Sequence, residues 1–477
     1  MTIVDLKALL PFIILGTASA AIMLVLAFYR EHKLTVVMTL VGFTLSAASL
    51  PWTRCLSPRQ VTPLILVDQY ALFYIGLILM AAFAVAALAY SYLEVHQGHR
   101  EEFYLLIILA TLGCSVLAAA SHFISLFLGI ELLSVSLYAL AAYLRHSNKS
   151  VEAGVKYLIL AAVSSAFILF GIALVYAETG SMSFAVIASQ AAGAGVHGLP
   201  FLAGIILILA GLGFKLAVVP FHLWTPDVYE GAPAPVTAFI ATASKGAVFA
   251  LVLRYFTKID IHQYPALMLV VSTIAVASMF AGNLLALLQT NVKRILAYSS
   301  ISHLGYLLVT ILASGPMAAT AAAFYLTAYF VTTLSAFGVV TVLSSGERDA
   351  DRMDDYRGLV WRRPWLAGVF TIMLFSLAGI PLTAGFVGKF YVVAAGVGSE
   401  LWPVVVVLAI NSVIGLFYYL RIIVALFSGT GEEHRATSQP SRSNSAVLAA
   451  LTALLVWLGV YPGPAIELIN KAMQSLM

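Results

Sequence analysis

The sequence predicts an all-α polytopic membrane protein of about fourteen transmembrane helices, with helices 7 and 12 broken and two inverted five-helix repeats. Three observations predict it. The 477 residues are 62% hydrophobic and only 10% charged, with a mean hydropathy of +1.00, whereas a soluble chain carries about 25% charged residues. Apolar runs long enough to cross a bilayer recur along the whole chain. The basic residues between those runs fall mainly on alternate loops. This composition excludes a cytoplasmic enzyme and a disordered chain. The formal net charge of +4 supplies no basic stripe for nucleic acid. Two cysteines, Cys55 and Cys114, are too few for a disulfide framework, an iron–sulfur cluster or a zinc site. The N-terminus lacks a basic region followed by a cleavage site, so the first apolar stretch is expected to be retained.

A helix needs about 20 mainly apolar residues to cross the hydrocarbon core. The runs that qualify centre on 8–29, 34–52, 69–93, 103–120, 122–143, 153–176, 200–219, 234–256, 264–288, 292–313, 317–343, 364–398, 403–427 and 445–461. The twelfth is long and interrupted by Gly379-Ile380-Pro381. Fourteen spans consume roughly 280 residues, so the loops are short. None has room for a nucleotide, flavin or haem domain, and any redox step belongs on another subunit.

An even number of spans places both termini on one side and sorts the basic residues. The terminal side receives six: Lys7, Arg54, Arg59, Arg254, Lys258 and Lys471. The other side receives sixteen, among them Arg30, Lys149, Lys156, Lys293, Arg294, Arg348 and Arg435. The excess of positive charge marks the inner face, so the termini are expected outside.

Three lysines remain, deep in apolar runs: Lys215 in GLGFKLAVVP, Lys245 in IATASKGAVF and Lys389 in AGFVGKFYVV. Among the acids, Glu131 in LFLGIELLSVSLY is read as similarly deep. A charge at mid-helix opposes insertion by about 2.5–3.5 kcal/mol, so such residues mark an ion or proton path. Each also has a plainer reading: Glu131 and Lys215 as a pair locking two helices, Lys245 and Lys389 as snorkelling side chains. His303, in AYSSISHLGYLL, shares a helical face with Ser299 and Tyr306, and an imidazole passes protons through either nitrogen. His222 reads equally as a link to the inner surface or as a solvated loop histidine. Lys156 reads as an interfacial anchor, Asp227 and Glu230 as capping or solvated loop acids, and the mixed run 347–355 as a solvated inner loop.

The breaks carry the repeat. Pro220 follows Lys215, and Gly379, Pro381, Gly385 and Gly388 precede Lys389; proline removes a backbone N–H and clashes with the preceding turn. Such breaks in corresponding halves are a transporter signature. Lys215 and Lys389 are 174 residues apart, Glu131 and His303 172 apart. Both offsets span five helices, and an odd number inverts the orientation. The chain therefore divides into N-terminal helices (1–102), a first repeat (103–262), a second, inverted repeat (263–428) and a C-terminal loop and helix (429–477).

Several long segments, in order, resemble the subunit N family of bacterial proton-pumping NADH–quinone oxidoreductases (respiratory complex I), which are antiporter-like membrane subunits. They are LFLGIELLSVSLYAL at 126–140, GLGFKLAVVPFHLWTPDVYEGAPAPVTAFIATASK at 211–245, QTNVKRILAYSSISHLGYLLV at 289–309 and SLAGIPLTAGFVGKFYV at 376–392. Shorter likenesses are EFYLL at 102–106 and Asp355-Tyr-Arg-Gly-Leu359. Related antiporter-like subunits read HxWLPDAxxxAPTPVSALIHA around helices 7 and 8. Here Thr225 replaces the leucine and no histidine follows Ile240; with no long C-terminal extension, these departures favour subunit N. The resemblance implies a proton relay in which Glu131 pairs with Lys215, Lys245 is central, and His303 and then Lys389 lead outward. It further implies a translocating subunit of NADH:quinone oxidoreductase with no cofactor on this chain. FMN, iron–sulfur clusters and quinone are expected on partner subunits. The implied partners are neighbouring antiporter-like and small membrane subunits and the lipid bilayer, with no nucleic acid, in a bacterial inner (plasma) membrane with both termini periplasmic. The alternative is a Na+/H+ antiporter subunit of a multisubunit cation/proton antiporter.

Overall fold

The computed structural model describes residues 2–96, 98–192, 198–259, 261–313, 315–346, 348–429 and 441–476. Among the described residues, thirteen helices are individually long and apolar enough to cross a membrane. They are Leu10–Phe28, His32–Arg54, Gln69–Glu94, Glu101–Ala118, Phe123–Ala141, Asn148–Thr179, Leu199–Leu216, Ala234–Lys258, Pro265–Leu287, Val292–Ala313, Gly315–Leu343, Trp402–Phe427 and Arg442–Val460. Two shorter apolar helices, Pro364–Ala378 and Ala384–Gly398, occupy the place of the interrupted twelfth span. Fourteen crossings result, in the expected order. A short antiparallel hairpin, Arg59–Thr62 with Ile65–Val67, and a C-terminal helix Gly463–Met473 are additions that the hydropathy pattern does not signal.

The breaks fall where the sequence places them. The seventh span stops at Leu216, one residue past Lys215, with Ala217 in the left-handed region at φ 62. The first half of the twelfth stops at Ala378, with Gly379 at φ 85. Thr383 then caps the second half by accepting from the Phe386 amide. The eighth span runs unbroken, but its residues Ile240–Ser244 form a π-helical turn immediately before Lys245. Such turns widen the helix locally and are frequent at functional sites.

The loop contacts test the predicted alternation. Loops after odd-numbered spans meet one another: Arg30 pairs with Glu102, Lys149 with Glu230, Lys293 with Asp349, and the Gly358 amide donates to the Ala425 carbonyl. Loops after even-numbered spans gather at the other end, where Leu66 donates to Ala119 O and Phe123 to Met182 O. Both chain ends join this second group, through Arg59–Asp5 and through the Tyr70 amide to Ser475 Oγ. The termini thus share one end. Arg435 and Glu347 lie outside the described residues.

The eighth and tenth spans form the centre of the bundle, with 100% and 94% of their apolar windows buried, whereas the first and last spans are buried over only a third of theirs. A helix apolar all round and fully enclosed is a core helix. Lys245 on the eighth span and His303 on the tenth therefore have protein rather than lipid around them.

Candidate functional site

Lys215, Lys245, His303 and Lys389 are all buried, and each is held by a hydroxyl. Lys215 Nζ donates to Ser134 Oγ at 2.6 Å and lies 5.8–5.9 Å from the ring centres of Tyr138, Tyr157 and Phe214, within cation–π range. It also sits in the last turn of its helix, where the dipole favours a cation. Lys245, with no exposed surface, donates to Ser300 Oγ at 2.6 Å. Tyr329 donates to the same oxygen at 2.7 Å. His303 touches Tyr325 OH through Nδ1 at 2.5 Å and Tyr419 OH through Nε2 at 3.1 Å, and its ring lies 5.5 Å from Tyr329 and 5.6 Å from Tyr306. Lys389 Nζ is 5.4 Å from the Tyr306 ring centre.

Lys389 also closes the helix break. Its amine donates to Leu377 O at 3.1 Å, Ala378 O at 2.8 Å and Ser412 Oγ at 2.9 Å. The two carbonyls belong to the last turn of the preceding half-helix, which has no intrahelical donors for them. Glycine is favoured at the joint: the φ of Gly379 is 85, and a Cβ there would lie 2.9 Å from Lys389 Cδ.

From Lys245 the hydroxyls of Ser300 and Tyr329 lead to the His303 ring, and Tyr306 stands between His303 and Lys389. This arrangement places titratable and hydroxyl groups near one another in the core. Lysine and imidazole can gain and lose protons, and serine and tyrosine hydroxyls can pass them on.

The profile of the family described as "NADH:quinone oxidoreductase/Mrp antiporter, TM" matches residues 120–415. NADH-quinone oxidoreductase subunit N of Nitrosospira multiformis is 54% identical, the match covering 98% of this chain and 96% of that one. The chain belongs to the subunit N family. The subunit N of Methylococcus capsulatus is 47% identical over 98% of this chain and 95% of its own. A chain of respiratory complex I from Thermus thermophilus with bound aureothin is 34% identical, with a TM-score of 0.81 over 96% of this chain and 98% of that one. A chain of the Mrp complex from Dietzia sp. is 21% identical, with a TM-score of 0.87 over 100% of this chain and 98% of its own, and shares the fold. All five predicted relay positions fall within the matched family segment.

Several expectations require correction. Glu131 and Lys215 form no direct ion pair. Ser134, one turn along the same helix, takes the lysine, while Glu131, only half-buried, accepts from Ser165 Oγ at 2.5 Å. Asp68, the N-cap of the third span, is more buried than Glu131: it is 1% exposed and accepts from the buried Arg254 through two bonds of 2.7 and 2.8 Å. Arg254 lies at the terminal-side end of its span, is buried, and also donates to Ala118 O, which ties three spans together. His222 is buried with Nδ1 unpartnered among the described residues, which removes its solvated reading.

Asp227 and Glu230 are not simply capping or solvated acids. Arg294 bridges them at 2.8 and 3.1 Å, Lys156 holds Asp227 at 2.8 Å, and Lys149 holds Glu230 at 2.8 Å. Burial would raise both carboxyls, but the hydrogen bonds from these cations prevail and hold each below its ordinary value. Lys156 is accordingly an anchor. The charged run at 348–355 is docked rather than free, since Asp349 binds the buried Lys293 and Asp351 accepts from Asn291. A small loop that must span several helix ends uses such pairs to fix its path.

Proposed function

We propose that the chain is a proton-translocating membrane subunit of an NADH–quinone oxidoreductase. Quinone reduction on other subunits would drive proton transfer through Lys215, Lys245, His303 and Lys389, with Glu131 biasing the charge of Lys215. The observation that supports this reading best is the series of buried, hydroxyl-held titratable groups, two of them on the most enclosed spans. A buried ion pair that only locks helices needs no such string of serines and tyrosines. The two breaks, each with a lysine against a helix C-terminus, support the inverted-repeat reading with 103–262 and 263–428 as its units. The basic excess at the odd-loop end supports reading that end as the inside of a bacterial plasma membrane, with both termini periplasmic. FMN, iron–sulfur clusters and quinone belong to partner subunits in this reading.

The test is Lys245→Ala in the assembled complex, reconstituted in proteoliposomes. The relay reading predicts an assembled complex with fewer protons moved per NADH oxidised. Parental electron transfer and parental pumping together would refute the assignment. The alternative, a Na+/H+ antiporter subunit, draws on the fold shared with the Mrp chain. It predicts purification without flavin and iron–sulfur subunits.

A further inference from the structure

A buried amide lies beside His303 and Lys389 and touches neither. Asn283, on the ninth span, has no exposed surface. Its Nδ2 donates at 3.1 Å to the hydroxyl oxygen of Tyr306, on the tenth span. It also reaches Asn411 O at 3.0 Å and Asn411 Oδ1 at 3.1 Å, on the thirteenth. Its Oδ1 accepts from the Tyr418 hydroxyl at 2.9 Å. An amide nitrogen has two N–H donors, so with three acceptors in reach one is shared and none is wasted. Asn411 and Tyr418, also buried, are seven residues apart and so lie on one face of their helix, about two turns from each other. Gly415 lies between them, where a Cβ would come within 3.3 Å of Asn283 Oδ1 and 3.4 Å of the Tyr418 hydroxyl. A buried polar cluster satisfied at every end rigidifies the helices it joins.

Each partner of this amide borders a relay group. The Tyr306 ring stands at 78° to the His303 ring with centres 5.6 Å apart, and its centre is 5.4 Å from Lys389 Nζ. Tyr419, next to Tyr418, meets His303 Nε2 at 3.1 Å. Ser412, next to Asn411, accepts from Lys389 Nζ at 2.9 Å. Ser412 and Tyr419 are again seven residues apart, so a single helix face reaches from Lys389 to His303. A tyrosine ring turns on two side-chain torsions, and its hydroxyl is the far end of that lever. Asn283 pins the lever of Tyr306 and fixes the height of the helix that touches both relay groups.

We propose that Asn283 is the positioning residue for the step between His303 and Lys389, holding the Tyr306 ring between them and the thirteenth span in register with both. The inference rests on His303 and Lys389 being relay groups. In that step the protonated His303 imidazole gives up a proton, the neutral Lys389 amine gains it, and Asn283 ends as it began. Transfer between two groups depends steeply on how they are placed, and a misplacement of about 1 Å by a distant change can cost about a hundredfold in rate. Without the amide, the Tyr306 hydroxyl and the thirteenth span are free to shift, and His303 and Lys389 lose their common frame.

The test uses the assembled complex in proteoliposomes, with protons moved per NADH and the thermal midpoint measured for each variant. Asn283→Leu keeps the size of the side chain and removes its hydrogen bonds. Asn283→Ser keeps a hydroxyl but is too short to hold Tyr306. Asn444→Leu is the control for a purely structural role: Asn444 is a buried asparagine whose bond to Ser91 Oγ, at 2.6 Å, ties the fourteenth span to the third. Lys389→Ala is measured in parallel. The proposal predicts that the Asn283 variants carry the ratio at least halfway from the parent's to that of Lys389→Ala, while Asn444→Leu lowers the midpoint and keeps the parental ratio. Parental ratios in the Asn283 variants, with a lowered ratio in Lys389→Ala, overturn the positioning role and leave the relay standing. An equal loss in Asn444→Leu traces the effect to a loosened bundle and overturns the role, as does failure of both Asn283 variants to assemble, which assigns the amide to folding alone. A parental ratio in Lys389→Ala overturns the relay and the positioning role with it.

Discussion

Gly379→Ala puts the geometry around Lys389 to a quantitative test. The backbone at Gly379 has φ 85, where an L-residue costs about 1–2 kcal/mol. The new Cβ would lie 2.9 Å from Lys389 Cδ and 3.1 Å from its Nζ. These are the far atoms of a flexible side chain, so the lysine yields while the backbone stays. Drawing Nζ off one of its two carbonyls forfeits a charge-assisted hydrogen bond of about 1.5–3 kcal/mol. The change thus opposes the native placement of Lys389 by about 2.5–5 kcal/mol in total. Gly368→Ala is the matched control: it lies in the same span's first half, and its Cβ would meet nothing within 4 Å. There alanine favours the helix by up to about 1 kcal/mol. The assay is protons moved per NADH by the assembled complex, with its thermal midpoint alongside. Gly379→Ala is expected to lower both, and Gly368→Ala to keep both at or above parental values. A Gly379→Ala complex that pumps and melts like the parent would refute the placement argument.

Other perturbations reach other parts of the molecule. Tyr325→Phe removes the hydroxyl on His303 Nδ1 and is expected to lower the proton ratio with assembly preserved, read by co-purification. Arg254→Met strands the buried Asp68 carboxylate and should cost about 3–5 kcal/mol, seen as lost assembly, whereas Arg254→Met with Asp68→Leu should recover most of it. The ties of Asp227 and Glu230 follow pH with a definite sign. Both carboxyls are held below their ordinary values, so their contribution is full above about pH 4–5 and is lost as pH falls through the lowered values. Hydrogen exchange over 224–231, corrected for its intrinsic pH dependence, should show protection falling in acid. Asp227→Asn with Glu230→Gln should lack that transition.

The sequence exposed some features of this fold and hid others for physical reasons. Spans were legible because crossing lipid demands about 20 apolar residues in a row, a local property of the chain. The breaks at Lys215 and Lys389 were legible because proline and glycine act on their own turns. The three deep lysines stood out because a charge in an apolar run is costly wherever it lands. What stayed hidden was pairing at long range. Nothing near Asp68 announces that Arg254, 186 residues on, will seize it. Its place just before an apolar run marks it only as a helix cap, a role it also fills by accepting from Ala71 N. Ser300, Tyr325, Tyr329 and Tyr419 were equally silent, because hydroxyl residues are ordinary in membrane helices and gain meaning only from the partner they face. The Glu131–Lys215 contact was implied by family resemblance, which carries residue types faithfully but not the rotamer that turns Glu131 to Ser165.

The central claim is that Lys245 and Lys389 act in series on one proton path. The most direct measurement is protons moved per NADH for Lys245→Ala, Lys389→Ala and the double variant in the same reconstituted complex. Two links of one chain are non-additive, so the double variant should lose no more than the worse single. Losses that add in the double variant would place the two lysines on separate paths and contradict the relay.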